Sequence, residues 1–247
     1  MIGHCRIYLT EFDAGIADME ASRRLAVQVG DRHGEMFTLE SQGMLLVFCN
    51  RFADAGALLE RGLALAEAIG ARRYQTTILL AMAEAAFAHG RADEADERIE
   101  RALAISRQTG MRFCGPLLLG LKARLLDDPR AREQCCAEAE TLLAQGCVGH
   151  NAIGYYRYGI EDALARGEWS RALEQVAAMA DYTRREPLPY TDFLMARGRI
   201  LVALAQRPQD AMLHEELTRL RADAERLCWP LDWPEWAVAG VEPALPR

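Results

Sequence analysis

Cys135, Cys136, Cys147 and His150 are the residues of this chain that come nearest to a metal-binding set. Zinc is held by thiolates and imidazoles, and Cys147-x-x-His150 has a ligand-like spacing with a cysteine pair eleven residues upstream. Neighbouring residues on a helix point their side chains apart, so Cys135 and Cys136 are poorly placed to share one ion. Small buried side chains account for these cysteines better, and no metal is expected. Glu161 and Asp162 offer two adjacent carboxylates, as a general acid and base would need. With no third group beside them, on a polar helix face, they read as solvated. Tyr155, Tyr156 and Tyr158 with Arg157, joined by Tyr182 and Tyr190, form an aromatic-rich zone. Aromatic side chains and Arg dominate binding hot spots, which makes Tyr155, Arg157, Tyr190 and Arg197 the candidate partner-binding residues. Tyr155 and Arg157 are expected to point outward and Tyr156 inward; ordinary packing between helix pairs is the competing reading.

The motifs of common catalysts are missing. The only lysine, Lys122, lies between Leu121 and Ala123, so there is no Gly-Lys-Ser/Thr phosphate loop. G-x-G-x-x-G, H-E-x-x-H and G-x-S-x-G do not occur. A cyclase site would need a mixed sheet carrying two metal-binding carboxylates, and no strand run is present. The chain is expected to have no catalytic residue and no cofactor.

A net charge of −7 disfavours nonspecific nucleic-acid binding, which relies on neutralising phosphates with Lys and Arg. Every basic residue except Lys122 is Arg or His. GC-rich codon usage is the simpler explanation; a selected arginine surface for carboxylates or phosphates is the other. No run of apolar residues is long enough to span a membrane. The start, MIGHCRIYLTEFDAG, lacks the basic opening and long apolar core of a signal peptide. Seven cysteines without framework spacing agree with the cytoplasmic location this suggests.

The elements that would position these side chains are set by a repeat. Gly30, Gly70 and Gly110 stand forty residues apart, and their surroundings keep the same register. Met19 matches Leu59 and Ile99; Gly15 matches Ala55 and Ala95; Gly3 matches Gly43 and Ala83. Such a period signals one supersecondary unit stacked on itself. Within Arg51 to Gly70, apolar residues recur as Phe52, Ala55, Leu58, Leu59, Leu63, Ala66 and Ile69, the stripe of an amphipathic helix ended by glycine. Met36–Phe48 forms the helix before it. The unit is an αα-hairpin.

The same reading gives six pairs: Met1–Leu9 with Asp13–Gly30, Met36–Phe48 with Ala53–Gly70, Tyr74–Ala88 with Ala92–Gly110, Pro116–Leu126 with Arg130–Gly146, Ala152–Ala165 with Trp169–Thr183, and Thr191–Gln206 with Gln209–Leu227. The fourth pair has a shorter turn, where the register slips. Gly43 and Ala83 are expected where the leading helix crosses its partner closely, with Ala55 and Ala95 as the reciprocal small residues. The first pair begins inside a leading helix and is expected to expose an apolar face with Ile2, Ile7 and Met19, open to self-association or fraying.

Gly43, Ala55, Leu59 and Gly62, with Ala83, Ala95, Ile99 and Ala102, carry a resemblance to the tetratricopeptide repeat family. That family places a small residue in the first helix, then a small, a bulky and a small residue along the second. Leu39 and Leu79 stand where the family has an aromatic residue, and the period is 40 rather than ~34 residues. The longer unit looks like repeat arrays of bacterial signalling proteins that carry an ATPase, nucleotide-cyclase or DNA-binding domain elsewhere. The resemblance implies an all-α, right-handed superhelical solenoid of about six helix pairs. The array would cover residues 1–228, followed by a Trp/Pro-rich capping segment over residues 229–247, where Trp229, Trp233 and Trp236 cluster. It implies a non-catalytic scaffold or sensor that binds a protein, peptide or helix on its concave face. The alternatives are the C-terminal regulatory part of a class III adenylate or guanylate cyclase or ATPase signalling protein, acting on a catalytic domain in cis, and, more weakly, a small-ligand sensor.

Overall fold

The computed structural model describes residues 2–227, 229, 231, 233–241 and 243, with side chains from residue 5 onward. Among these residues all regular structure is helical, and thirteen helices pack in consecutive order. They are α1 (Ile2–Tyr8), α2 (Phe12–Val29), α3 (Arg32–Phe48), α4 (Phe52–Ala68), α5 (Arg72–Ala88), α6 (Ala92–Thr109), α7 (Gly115–Leu125), α8 (Pro129–Ala144), α9 (Gly149–Arg166), α10 (Trp169–Thr183), α11 (Pro189–Gln206), α12 (Ala211–Arg226) and α13 (Glu235–Ala239). The twelve helices expected from the apolar stripes are α1–α12, with ends shifted by a few residues. The largest shift is at α3, which starts at Arg32 because the Asp31 carboxylate accepts the Gly34 N–H at 2.9 Å. Asp128 and Asp210 start α8 and α12 in the same way. α13 is a short helix inside the Trp/Pro-rich segment that the sequence does not announce. No helix among the described residues is long and apolar enough to cross a membrane.

The chain divides into two compact units, one of Met1–Ile7 with Glu11–Tyr155 and one of Tyr8–Thr10 with Tyr156–Arg247. The division falls inside α9, a place the composition does not mark.

One turn recurs every twenty residues from residue 10 to residue 90. Thr10, Gly30, Asn50, Gly70 and Gly90 have φ of 60°, 75°, 52°, 69° and 71°. After each, a backbone N–H reaches back five residues: Glu11 to Arg6 at 2.9 Å, Asp31 to Ala26 at 2.9 Å, Arg51 to Leu46 at 2.8 Å, Ala71 to Ala66 at 2.8 Å and Arg91 to Ala86 at 3.0 Å. This closure satisfies carbonyls left open at a helix end. Gly110 breaks the series with φ 112° and ψ 114°, and the irregular stretch it opens delays α7 to Gly115. That is the physical form of the register slip. Thr10 is the misfit, since a β-branched residue is strained at positive φ. Thr10→Gly is expected to raise stability by about 0.5–1 kcal/mol, the left-handed penalty less the entropy glycine adds to the unfolded chain. A lower urea midpoint than the parent would refute it.

Helix pairing rests on leucines set over small residues. A Cβ at Gly43 would lie 2.5 Å from Leu59 Cδ2, and one at Gly62 would lie 3.3 Å from Leu39 Cβ. So α3 gives room to Leu59 and α4 gives room to Leu39. The partner of the Gly43 site is thus Leu59, Gly62 is a small residue facing Leu39, and Ala55 is fully buried in the same cluster. Ala83, Ile99, Leu79 and Ala102 hold the matching places in α5 and α6, all fully buried. The open apolar face expected at the first pair is also corrected. Ile7 and Met19 are buried, and Ile2 lies outside the described side chains. The exposed large apolar residues of α2 are instead Leu25, Val27 and Val29, at 59%, 47% and 67%. Leu65 and Ile69, the counterparts of Leu25 and Val29, pack on the core, because α3 has seventeen residues against the seven of α1.

Glu40 on α3 is the least expected member of the interior. It is 4% exposed and accepts the Ser41 hydroxyl at 2.9 Å; the Thr77 hydroxyl of α5 is its second partner. Burial raises its pKa, and the two hydroxyls offset this only in part. A carboxyl with a raised folded pKa favours the fold fully below its unfolded pKa, and loses that contribution as pH climbs toward the folded value. Glu40→Gln is therefore expected to be increasingly more stable than the parent from mildly acid to mildly alkaline pH. Parallel curves of urea midpoint against pH would show that the carboxyl does not titrate in this way.

Candidate functional site: an aromatic ladder beside an arginine edge

The first unit carries a row of four rings. Phe37 on α3 meets Tyr74 on α5 edge to face at 6.0 Å between centroids. Tyr74 meets Phe113, before α7, at 6.0 Å, and Phe113 meets His150 on α9 at 5.9 Å. Edge-to-face pairs at such distances are favourable beyond the area they bury. All four rings are half-buried, so each keeps an open side. His150 Nε2 bonds the Phe113 carbonyl at 2.8 Å, and burial lowers its pKa despite that bond, which favours the neutral imidazole. Asn151 Nδ2 donates to the carbonyls of Arg112, Phe113 and Val148 and fixes the stretch that carries Phe113.

Beside the ladder lie the turns that join successive pairs. Arg32, Arg72 and Arg112 each stand two residues after the repeat glycine, forty residues apart, and all three are exposed. Arg32 and Arg72 are the first residues of α3 and α5. A cation there opposes the positive end of the helix dipole. Arg72 donates to the Gln108 side chain at 2.5 Å, and Arg112 to the Gln145 carbonyl at 2.6 Å. Both acceptors are uncharged, and neither these arginines nor Arg32 and the exposed Arg73 has a carboxylate partner among the described residues. Other arginines of the same unit behave differently: Arg51 pairs with Asp54, Arg61 with Glu35 and Arg101 with Glu67.

The residues singled out from sequence are placed otherwise. Tyr155 is buried rather than outward, and its hydroxyl donates to Glu140 Oε1 at 3.0 Å. Burial, with the nearby Cys136 and Glu140, pushes its pKa far up. Tyr156 is half-buried against the exposed Tyr182, so the inward and outward roles of the two tyrosines are reversed. The Arg157 guanidinium is half-buried and lies 4.5 Å from the Tyr158 ring centroid. In the second unit, Tyr190 is buried and stacks on Trp229 at 5.1 Å, while Arg197 is buried, donates to Glu161 Oε1 at 2.6 Å and lies over the Trp233 ring. The structure thus brings Tyr190 and Arg197 together on α11 under the tryptophan segment. Glu161 and Asp162 are not solvated: one pairs with Arg197, and the buried other accepts Arg166 at 2.8 Å. Cys147 Sγ donates to the Leu142 carbonyl at 3.1 Å, and no group of three potential ligands is gathered among the described residues.

The chain matches no family model, no curated protein and no solved structure. Its functional reading rests on its own geometry.

The arginine edge was open to sequence reasoning, because Arg32, Arg72 and Arg112 obey the glycine period. The ladder was harder to find. Its rings are spaced 37, 39 and 37 residues apart, off the period, and only the irregular turn after Gly110 brings Phe113 into line.

Proposed function

We propose that this chain is a non-catalytic protein-interaction scaffold, built as a right-handed superhelical solenoid of tetratricopeptide-like αα-hairpins. The observation that carries the reading is the turn repeated every twenty residues from Thr10 to Gly90, with leucines set over glycines where α3 and α4 pack. Identical helix pairs in series make an extended surface whose parts recur at fixed spacing, and such surfaces suit elongated partners. The residues first nominated, Tyr155, Arg157, Tyr190 and Arg197, have their polar groups or rings engaged within the fold. The recurring exposed groups of the first unit are better supplied for binding. The test is to capture partners from the source cell with the intact chain, with cross-linking, and to assay the same preparation for ATP hydrolysis and cyclase activity. Turnover in either assay that co-purifies with the chain would overturn the reading, as would failure to cross-link to any polypeptide.

A further inference from the structure

We propose that the edge formed by Arg32, Arg72, Arg73 and Arg112, with the neighbouring aromatic ladder, docks an acidic, carboxylate-bearing polypeptide segment. This rests on the scaffold reading and names the partner's chemistry. Three observations converge. Arg32 and Arg72 open helices, where a cation costs helix stability, and Arg112 recurs forty residues on in the turn before α7. Arg51, Arg61 and Arg101 of the same unit pair with carboxylates, whereas among the described residues Arg72 and Arg112 meet uncharged acceptors and Arg32 and Arg73 meet no carboxylate. No side chain caps α5 at Ala71, the helix that opens with Arg72 and Arg73. Guanidinium groups bind carboxylates through paired N–H donors, and the half-open rings give apolar side chains of the same segment a place to rest.

A peptide is favoured over nucleic acid by the charge of the whole chain. At −7 the chain repels a polyanion in proportion to its charge, so a long polyphosphate is disfavoured more than a short segment with fewer carboxylates. Local pairing then decides, and its strength falls with added salt.

The experiment uses the full chain and a fluorescein-labelled decapeptide of Glu with one central Phe, read by anisotropy at low and moderate salt. The variant is the triple Arg32→Gln, Arg72→Gln, Arg112→Gln. Expected are saturable binding that weakens with salt, at least a tenfold loss in the triple variant, and a melting temperature at or above the parent's. That last readout separates docking from a structural role, since Gln removes a cation from the starts of α3 and α5, which offsets the Arg72 and Arg112 hydrogen bonds lost to Gln108 and Gln145. Equal binding by parent and variant would overturn the edge while leaving the scaffold reading intact. No binding by the parent, or tighter binding of a single-stranded oligonucleotide of equal charge, would overturn the acidic-segment assignment. Partner capture by the intact chain still tests the scaffold reading separately.

Discussion

Trp229→Ala is expected to destabilise the second unit by about 3–5 kcal/mol, the usual range for emptying a buried aromatic site. Trp229 is 3% exposed, stacks on Tyr190 at 5.1 Å and leans on Phe193 at 5.0 Å. Its backbone N–H is tied to the Ala224 carbonyl at 2.9 Å, so the segment cannot easily slide to refill the space. Removing the indole would uncover Tyr190 and Phe193 on α11. Trp229→Phe keeps a ring against Tyr190 and should recover more than half of the loss. Urea unfolding followed by helicity is the measurement, with the fluorescence of Trp169, Trp233 and Trp236 as a probe confined to that unit. A loss below about 1 kcal/mol, the range of surface substitutions, would show that the segment lies on the surface without covering it.

Gly43→Leu should destabilise the first unit by about 1–3 kcal/mol, through overpacking at the α3–α4 crossing. A Cβ at this position already falls 2.5 Å from Leu59 Cδ2 and 2.7 Å from Leu59 Cγ. Leu59 is 1% exposed and has nowhere to retreat. Gly43→Ala is a more balanced case, because alanine gains about 1 kcal/mol of helix propensity against the same contact. Leu59→Ala should partly rescue Gly43→Leu by vacating the contested space, which an unrelated defect would not allow. If Gly43→Leu melts with the parent, α3 and α4 do not cross there.

Much of the helical layout was legible because apolar stripes and glycine ends are local signals. Trp169–Thr183 emerges with the same bounds, and every other expected helix is present. The start of α3 was placed late because Asp31 acts through its side chain, outside the apolar stripe. The candidate site was much less legible. Whether Tyr155 or Tyr156 faces inward depends on the rotation of α9, and residue types in a run of three tyrosines do not fix that rotation. Arg197 looked like an open donor, but its neighbours Glu161 and Trp233 come from distant parts of the chain. Long-range partners of this kind leave no trace in spacing. The arginine edge does leave one, the forty-residue recurrence of Arg32, Arg72 and Arg112.

The repeated turn also bears on how the first unit is made. Each closure from Asp31 to Arg91 spans five residues, and consecutive helices pack on one another, so little chain entropy is spent in bringing partners together. A chain of this kind has no obligatory nucleus: any one pair can form first and template the next. Assembly on the millisecond scale or faster is the consequence for contacts this local. During synthesis the helix pairs between residues 11 and 109 could settle one after another as they emerge. Stopped-flow refolding monitored by helicity would contradict this if the main phase took minutes.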